Sequence, residues 1–85
     1  MKNYYFTFGA SPNYPFYKGY VLVNAATLND AVNAFDAEHE PIQEGIVNCA
    51  FMYNEIEFQM ALENLKNAPG CMLDEFNYCH EVIHG

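Results

Sequence analysis

Residues 20–35 read YVLVNAATLNDAVNAF, and the spacing of their apolar side chains changes partway along. Up to Ala25, the set Val21, Val23 and Ala25 alternates with Tyr20, Leu22 and Asn24, the two-residue period of a strand rich in β-branched and aromatic residues. After Thr27 the period lengthens, and Leu28, Ala31, Val32 and Phe35 recur at helical intervals. Thr27 and Asp30 form the T-x-x-D arrangement whose hydroxyl satisfies a free amide at a helix start. A strand therefore runs almost directly into a capped helix of about a dozen residues, which must end before Pro41. The solvent side of that helix would carry Asn29, Asn33, Asp36 and Glu40.

The rest of the chain extends the same logic in both directions. NYYFTFG at 3–9 alternates Tyr4, Phe6 and Phe8 against Tyr5 and Thr7, and is expected to pair antiparallel with the strand at 20–25. Pro12, Pro15 and Gly19 make the intervening segment a loop. IVNCAFMY at 46–53 predicts a third strand, with Val47, Cys49, Phe51 and Tyr53 on one face. Asn54 and Glu57 then repeat the capping signal, and Phe58, Ala61, Leu62 and Leu65 form the apolar stripe of a second helix, with Glu55, Gln59, Glu63 and Lys66 on its wet side. Pro69 and Gly70 stop it. The order ββαβα(β) predicts one α+β domain over residues 1–85, its two helices covering one face of an antiparallel or mixed sheet. Residues 75–85 are expected as an edge strand or frayed tail. The opposite sheet face, left with Tyr20, Leu22 and aromatics of the first strand, is either closed by the Tyr14–Tyr17 loop and the C-terminal tail or open to a partner or a second copy, the last giving the alternative reading of a homodimeric structural or accessory protein.

The chain's last turn of sequence, HEVIH at 80–84, matches the helical H-E-x-x-H pattern of zinc hydrolases. Two imidazoles four apart share an ion only on a helix, where they rise about 6 Å. Here Phe76, Tyr78 and Val82 recur at alternate positions and Val82 and Ile83 are β-branched, so a strand is predicted, which spreads His80 and His84 roughly 13 Å apart. No metal site or other cofactor is expected. Serine hydrolysis lacks support because Ser11 is the one serine and has no G-x-S-x-G context, and the five dispersed glycines form no phosphate-binding loop. Cys49, Cys71 and Cys79 have no C-x-x-C spacing, and Cys49 sits in an apolar run, as a core thiol does. The reading is a protein without catalytic activity.

Charge carries the functional reading. Eleven acids oppose three lysines, for a net charge of −8, and all eleven lie between Asp30 and Glu81, while residues 1–29 hold only Lys2 and Lys18. Such a field disfavours direct contact with nucleic acid phosphates and favours a basic protein partner. The candidate partner-binding acids are Asp36, Glu38, Glu40, Glu55, Glu57 and Glu63. A second candidate surface is the aromatic loop of Tyr14, Phe16, Tyr17 and Tyr20 around Lys18, able to stack a planar ligand. No run of residues has the length and apolarity to cross a membrane, no leader is evident, and the cysteines fit a reducing compartment, so a cytoplasmic protein is expected.

Three segments, YYFTFG at 4–9, GYVLVNA at 19–25 and AFMYNEIEFQ at 50–59, resemble a group of short proteins from phages, prophages and conjugative elements of Gram-positive gut bacteria, which open on the same Tyr-Tyr-Phe-Thr-Phe-Gly strand. Departures are an insertion-like segment from Glu38 to Asn48, a tail after Gly70 without counterpart, and no tryptophan near Ala50. More loosely, the strand, capped helix, strand and acidic helix, with YNEIEF at 53–58, are similar to small acidic anti-CRISPR proteins of phages, whose acids imitate DNA phosphates in the groove of a CRISPR nuclease. The resemblance implies a bacterial host cell, an accessory role on a mobile element, and a host protein with a basic nucleic-acid-binding surface as partner.

Overall fold

The computed structural model describes residues 1–9, 16–66 and 78–85. Its elements are β1 (Lys2–Thr7), β2 (Tyr20–Ala25), α1 (Leu28–Glu38), β3 (Phe51–Asn54), α2 (Glu55–Lys66) and β4 (Cys79–His84). They form one four-stranded mixed sheet in the order β3-β1-β2-β4. The α+β class and the element order are those read from the periodicities.

β1 and β2 pair antiparallel with Tyr4 opposite Val23 and Phe6 opposite Val21, so alternation places Tyr4, Phe6, Phe8, Val21, Val23 and Ala25 on one face. α1 buries Ala31 and Phe35 against that face, closing the core. Phe35 lies parallel to Phe6 with ring centroids 4.4 Å apart, and also meets Phe8. Thr27 caps α1 as its spacing predicts, accepting from the Asp30 amide at 3.2 Å. Leu28, expected within the buried stripe, is instead nearly half exposed at the helix start.

α2 departs from the expected layering. Its buried Phe58 stacks on Tyr5 at 3.8 Å and 5°, and meets Tyr20 edge-on at 5.1 Å. Tyr5 and Tyr20 belong to the sheet face opposite Phe6 and Val21. The helices thus lie on opposite faces, one against an aliphatic and phenylalanine core, the other against a tyrosine cluster. The physical reason is in and just after β1, where Tyr4, Tyr5, Phe6 and Thr7, and then Phe8, are all buried, leaving neither face wettable. The aromatic face expected to drive a homodimer is therefore partly covered by the chain's own second helix.

β3 is shorter than the predicted strand at 46–53. It pairs with β1 from Tyr4–Asn54 to Thr7–Phe51, and β1 ends there. Residues before Phe51 take turns instead, with Gly45 at φ 81° and an isolated bridge between Gln43 and Ile46. Val47 and Cys49 still pack on the core from this irregular segment. β4 runs parallel to β2 with a register irregularity beside Tyr20. The tail is therefore an ordered edge strand over 79–84, while residues 75–77 lie outside the described residues.

Candidate functional site

The six candidate acids are split by the fold. Glu38 and Glu40 are exposed at and beyond the end of α1, on one side of the sheet, whereas Glu55, Glu57 and Glu63 are exposed along α2 on the other. Asp36 is turned inward: its Oδ1 is buried and, among the described residues, has no hydrogen-bond partner, against the expectation of a solvent-facing carboxylate. The neighbouring Cys49 thiol is pushed up to about 12 by burial and then by the charge of Asp36. Proton loss from a thiol so placed is suppressed, in keeping with a packing role.

Two of the acids also hold the fold. Glu57 and Asn54 form a reciprocal capping box, the Glu57 amide donating to Asn54 Oδ1 at 2.8 Å and the Asn54 amide to Glu57 Oε1 at 3.0 Å. Glu55 accepts the phenolic hydrogen of Tyr5. Burial, followed by the Glu55 hydrogen bond and charge, raises the Tyr5 phenol well above its ordinary value of 10.0. Glu55 thus ties the first turn of α2 to the central strand while its outer surface stays in solvent. Among the described residues, the candidate carboxylates free of such duties are Glu38, Glu40 and Glu63.

Among the described residues of the aromatic recognition surface, Phe16, Tyr17 and Tyr20 are not brought together. Phe16 packs on the α1 side, edge-on to Phe8 and His39 and stacked on His80 at 3.7 Å. Tyr20 goes to the α2 side, against Tyr5 and Phe58. Tyr17 is exposed, with Lys18 Nζ 5.9 Å from its ring, and Tyr14 lies outside the described residues. Lys18 adopts φ 69°, the left-handed conformation that lets the chain turn into Gly19 and β2. At Gly19 a Cβ would come within 2.7–2.9 Å of the Tyr78 ring, so a larger residue there would displace that exposed ring.

HEVIH occupies β4, not a helix, so its two histidines do not share a helical face. His80 stands at the register irregularity and stacks on Phe16, and Glu81 pairs with Nε2 of His39, the C-cap residue of α1. The string that looks like a metal motif therefore fastens the edge strand to α1. Cys79 is exposed and Cys71 lies outside the described residues.

One feature was not foreseen from the spacing. α2 is apolar on two sides: Phe58 is only 4% exposed, but Ile56 is 71% and Met60 59% exposed. These two, four apart, lie opposite the stripe of Phe58, Ala61 and Leu62, and plotting residues 55–66 at the helical period would have revealed them. Ile56 also lines a cavity of about 550 Å³ where β1, β3 and the starts of both helices converge.

Among the described residues, no helix is long and apolar enough to cross a membrane. The chain matches no family model, no curated protein and no solved structure.

Proposed function

We propose that this chain is a non-catalytic accessory protein of a phage or other mobile element, acting in the cytoplasm of a bacterial host by occupying the basic nucleic-acid-binding surface of a host protein. Anti-defence activity, with carboxylates standing in for phosphates at a CRISPR nuclease, is the sharpest form of this reading. The observation that carries it is the charge distribution: eleven acids follow residue 29, opposed there by Lys66 alone. The exposed carboxylates of Glu55, Glu57 and Glu63 on one rigid helix give that charge a fixed spacing, as a phosphate mimic requires. Glu38 and Glu40 form a separate set across the sheet, so the reading centres on α2.

The test is binding to the captured partner as a function of salt and of charge. Exposed ion pairs weaken as salt rises, because the screening length falls from about 10 Å at 0.1 M to about 3 Å at 1 M. Glu55→Gln and Glu57→Gln keep the hydrogen-bonding shape, and Glu38, Glu40 and Glu63 tolerate lysine, so a five-site variant removes charge without stripping the cap from α2. Loss of partner binding in that variant, with strong salt dependence in the wild type, is the expected result. Salt-independent affinity, equal in both proteins, contradicts it.

A further inference from the structure

From the apolar surface where both helices begin, we infer a docking site for a basic amphipathic helix of a partner protein. This deepens the protein-binding reading above and rests on it. The cavity of about 550 Å³ has Met1, Leu28, Met52 and Ile56 among its walls, all four exposed. Met60 continues the apolar stripe one turn along α2. Three of the chain's four methionines therefore belong to this one surface. Unbranched thioether side chains adapt to differently shaped apolar anchors, which is why methionine suits helix-binding grooves.

Charge selects the occupant. Leu28 opens α1 and Ile56 sits in the first turn of α2, and those two turns carry Asp30, Glu55 and Glu57, against Lys2 in the cavity wall. Both helix starts are also closed by their own side chains, Thr27 on the Asp30 amide and Asn54 with Glu57, so their amides are not offered to an anion. An apolar floor with a carboxylate rim fits bulky aliphatic residues at helical spacing flanked by lysine or arginine. A second copy of this chain, itself at −8, is repelled by the same field.

The probes are two fluorescent peptides of about 16 residues, one a leucine-lysine amphipathic helix and the other a scramble of identical composition. Titration of the full chain at about 0.15 M salt should show the amphipathic peptide binding about ten-fold tighter or better, since a filled apolar pocket is worth at least that factor. Ile56→Gln with Met52→Gln should erase the preference while circular dichroism shows the protein still folded, Ile56 being 71% and Met52 39% exposed. Equal affinity for the two peptides, or a preference surviving in the double variant, overturns the site. Glu55→Gln with Glu57→Gln separates the two readings, since it should weaken both peptides alike and leave the preference intact. Equal binding of both peptides that is still lost in this acid variant would sink the apolar site and leave the acidic-surface reading standing. Light scattering that finds a dimer dissolved by Ile56→Gln with Met52→Gln would make a second copy the occupant, and also overturns the proposal.

Discussion

Replacing Phe58 with alanine asks whether one ring holds α2 on the sheet. Phe58 is 4% exposed, lies 3.8 Å from the Tyr5 ring in parallel, and meets Tyr20 edge-on at 5.1 Å. Removing a buried phenylalanine side chain costs about 3–5 kcal/mol, through lost transfer energy and the cavity left behind. The low end applies, because Ala61 and Leu62 beside it are only half-buried and water can relax the cavity. A domain of this length has a total stability of roughly 4–13 kcal/mol, so about 3 kcal/mol is roughly a quarter to three quarters of it. The corresponding drop in thermal midpoint is about 12 °C or more at 4–8 °C per kcal/mol. Urea unfolding followed by circular dichroism measures this directly. A double-mutant cycle of Phe58→Leu with Tyr5→Leu isolates the ring stacking, for which about 0.5–1.5 kcal/mol of coupling is predicted. A Phe58→Ala cost below about 1 kcal/mol, together with no coupling, would refute the placement of α2 on the tyrosine face.

Further outcomes follow from the same geometry. Asn54→Ala removes the cap of α2 and should cost about 1 kcal/mol in urea unfolding, whereas Asn54→Ser should recover most of it. Glu81→Ala breaks the contact with His39 and should speed amide exchange across Cys79–His84 while changing global stability by no more than about 1 kcal/mol, the pair being partly exposed. In a Cys71→Ser background, Cys79 should be alkylated at neutral pH about ten-fold faster or more than Cys49, because attack requires an accessible thiolate. Cys49 also makes stability fall in alkali: its folded value is raised, so its contribution is complete below the ordinary thiol value of 9.0 and is lost as pH climbs through that value toward about 12. Tyr5 and Tyr20, both raised, act in the same direction from about 10 upward. Urea midpoints measured from neutral pH into alkali should decline, and Cys49→Ala should flatten the first part of that decline.

Local signals in the sequence specify most of this fold. Thr27 with Asp30 and Asn54 with Glu57 mark the helix starts because a cap is a contact between neighbours in the chain, independent of the tertiary structure. The final strand follows from alternation at Tyr78 and Val82, which is equally local. The face chosen by α2 was not legible, since a sequence in which Tyr4, Tyr5 and Phe6 are all apolar-bodied offers two faces of similar appeal. Which one each helix takes is decided by long-range pairing: β3 joins the edge of β1, and α2 then folds Phe58 back over Tyr5. Asp36 shows the same limit within one helix. Helical spacing placed it beside solvent, but its Oδ1 is buried and its charge acts on Cys49, which packs on the core from the turn segment before β3, and no local pattern announces that long-range approach. The acids of α2 were legible as exposed, yet the structural work of Glu55 could not be read from sequence, its partner Tyr5 lying fifty positions away.

The central claim is that carboxylates on α2 occupy a partner's nucleic-acid-binding surface. Affinity capture from lysate of a Gram-positive gut bacterium, using the wild type and the five-site charge variant and read by mass spectrometry, tests it most directly. Enrichment of a DNA- or RNA-binding protein by the wild type alone, released when duplex DNA is added, is the predicted result. The same proteins retained by both chains, or retention indifferent to added nucleic acid, would contradict it.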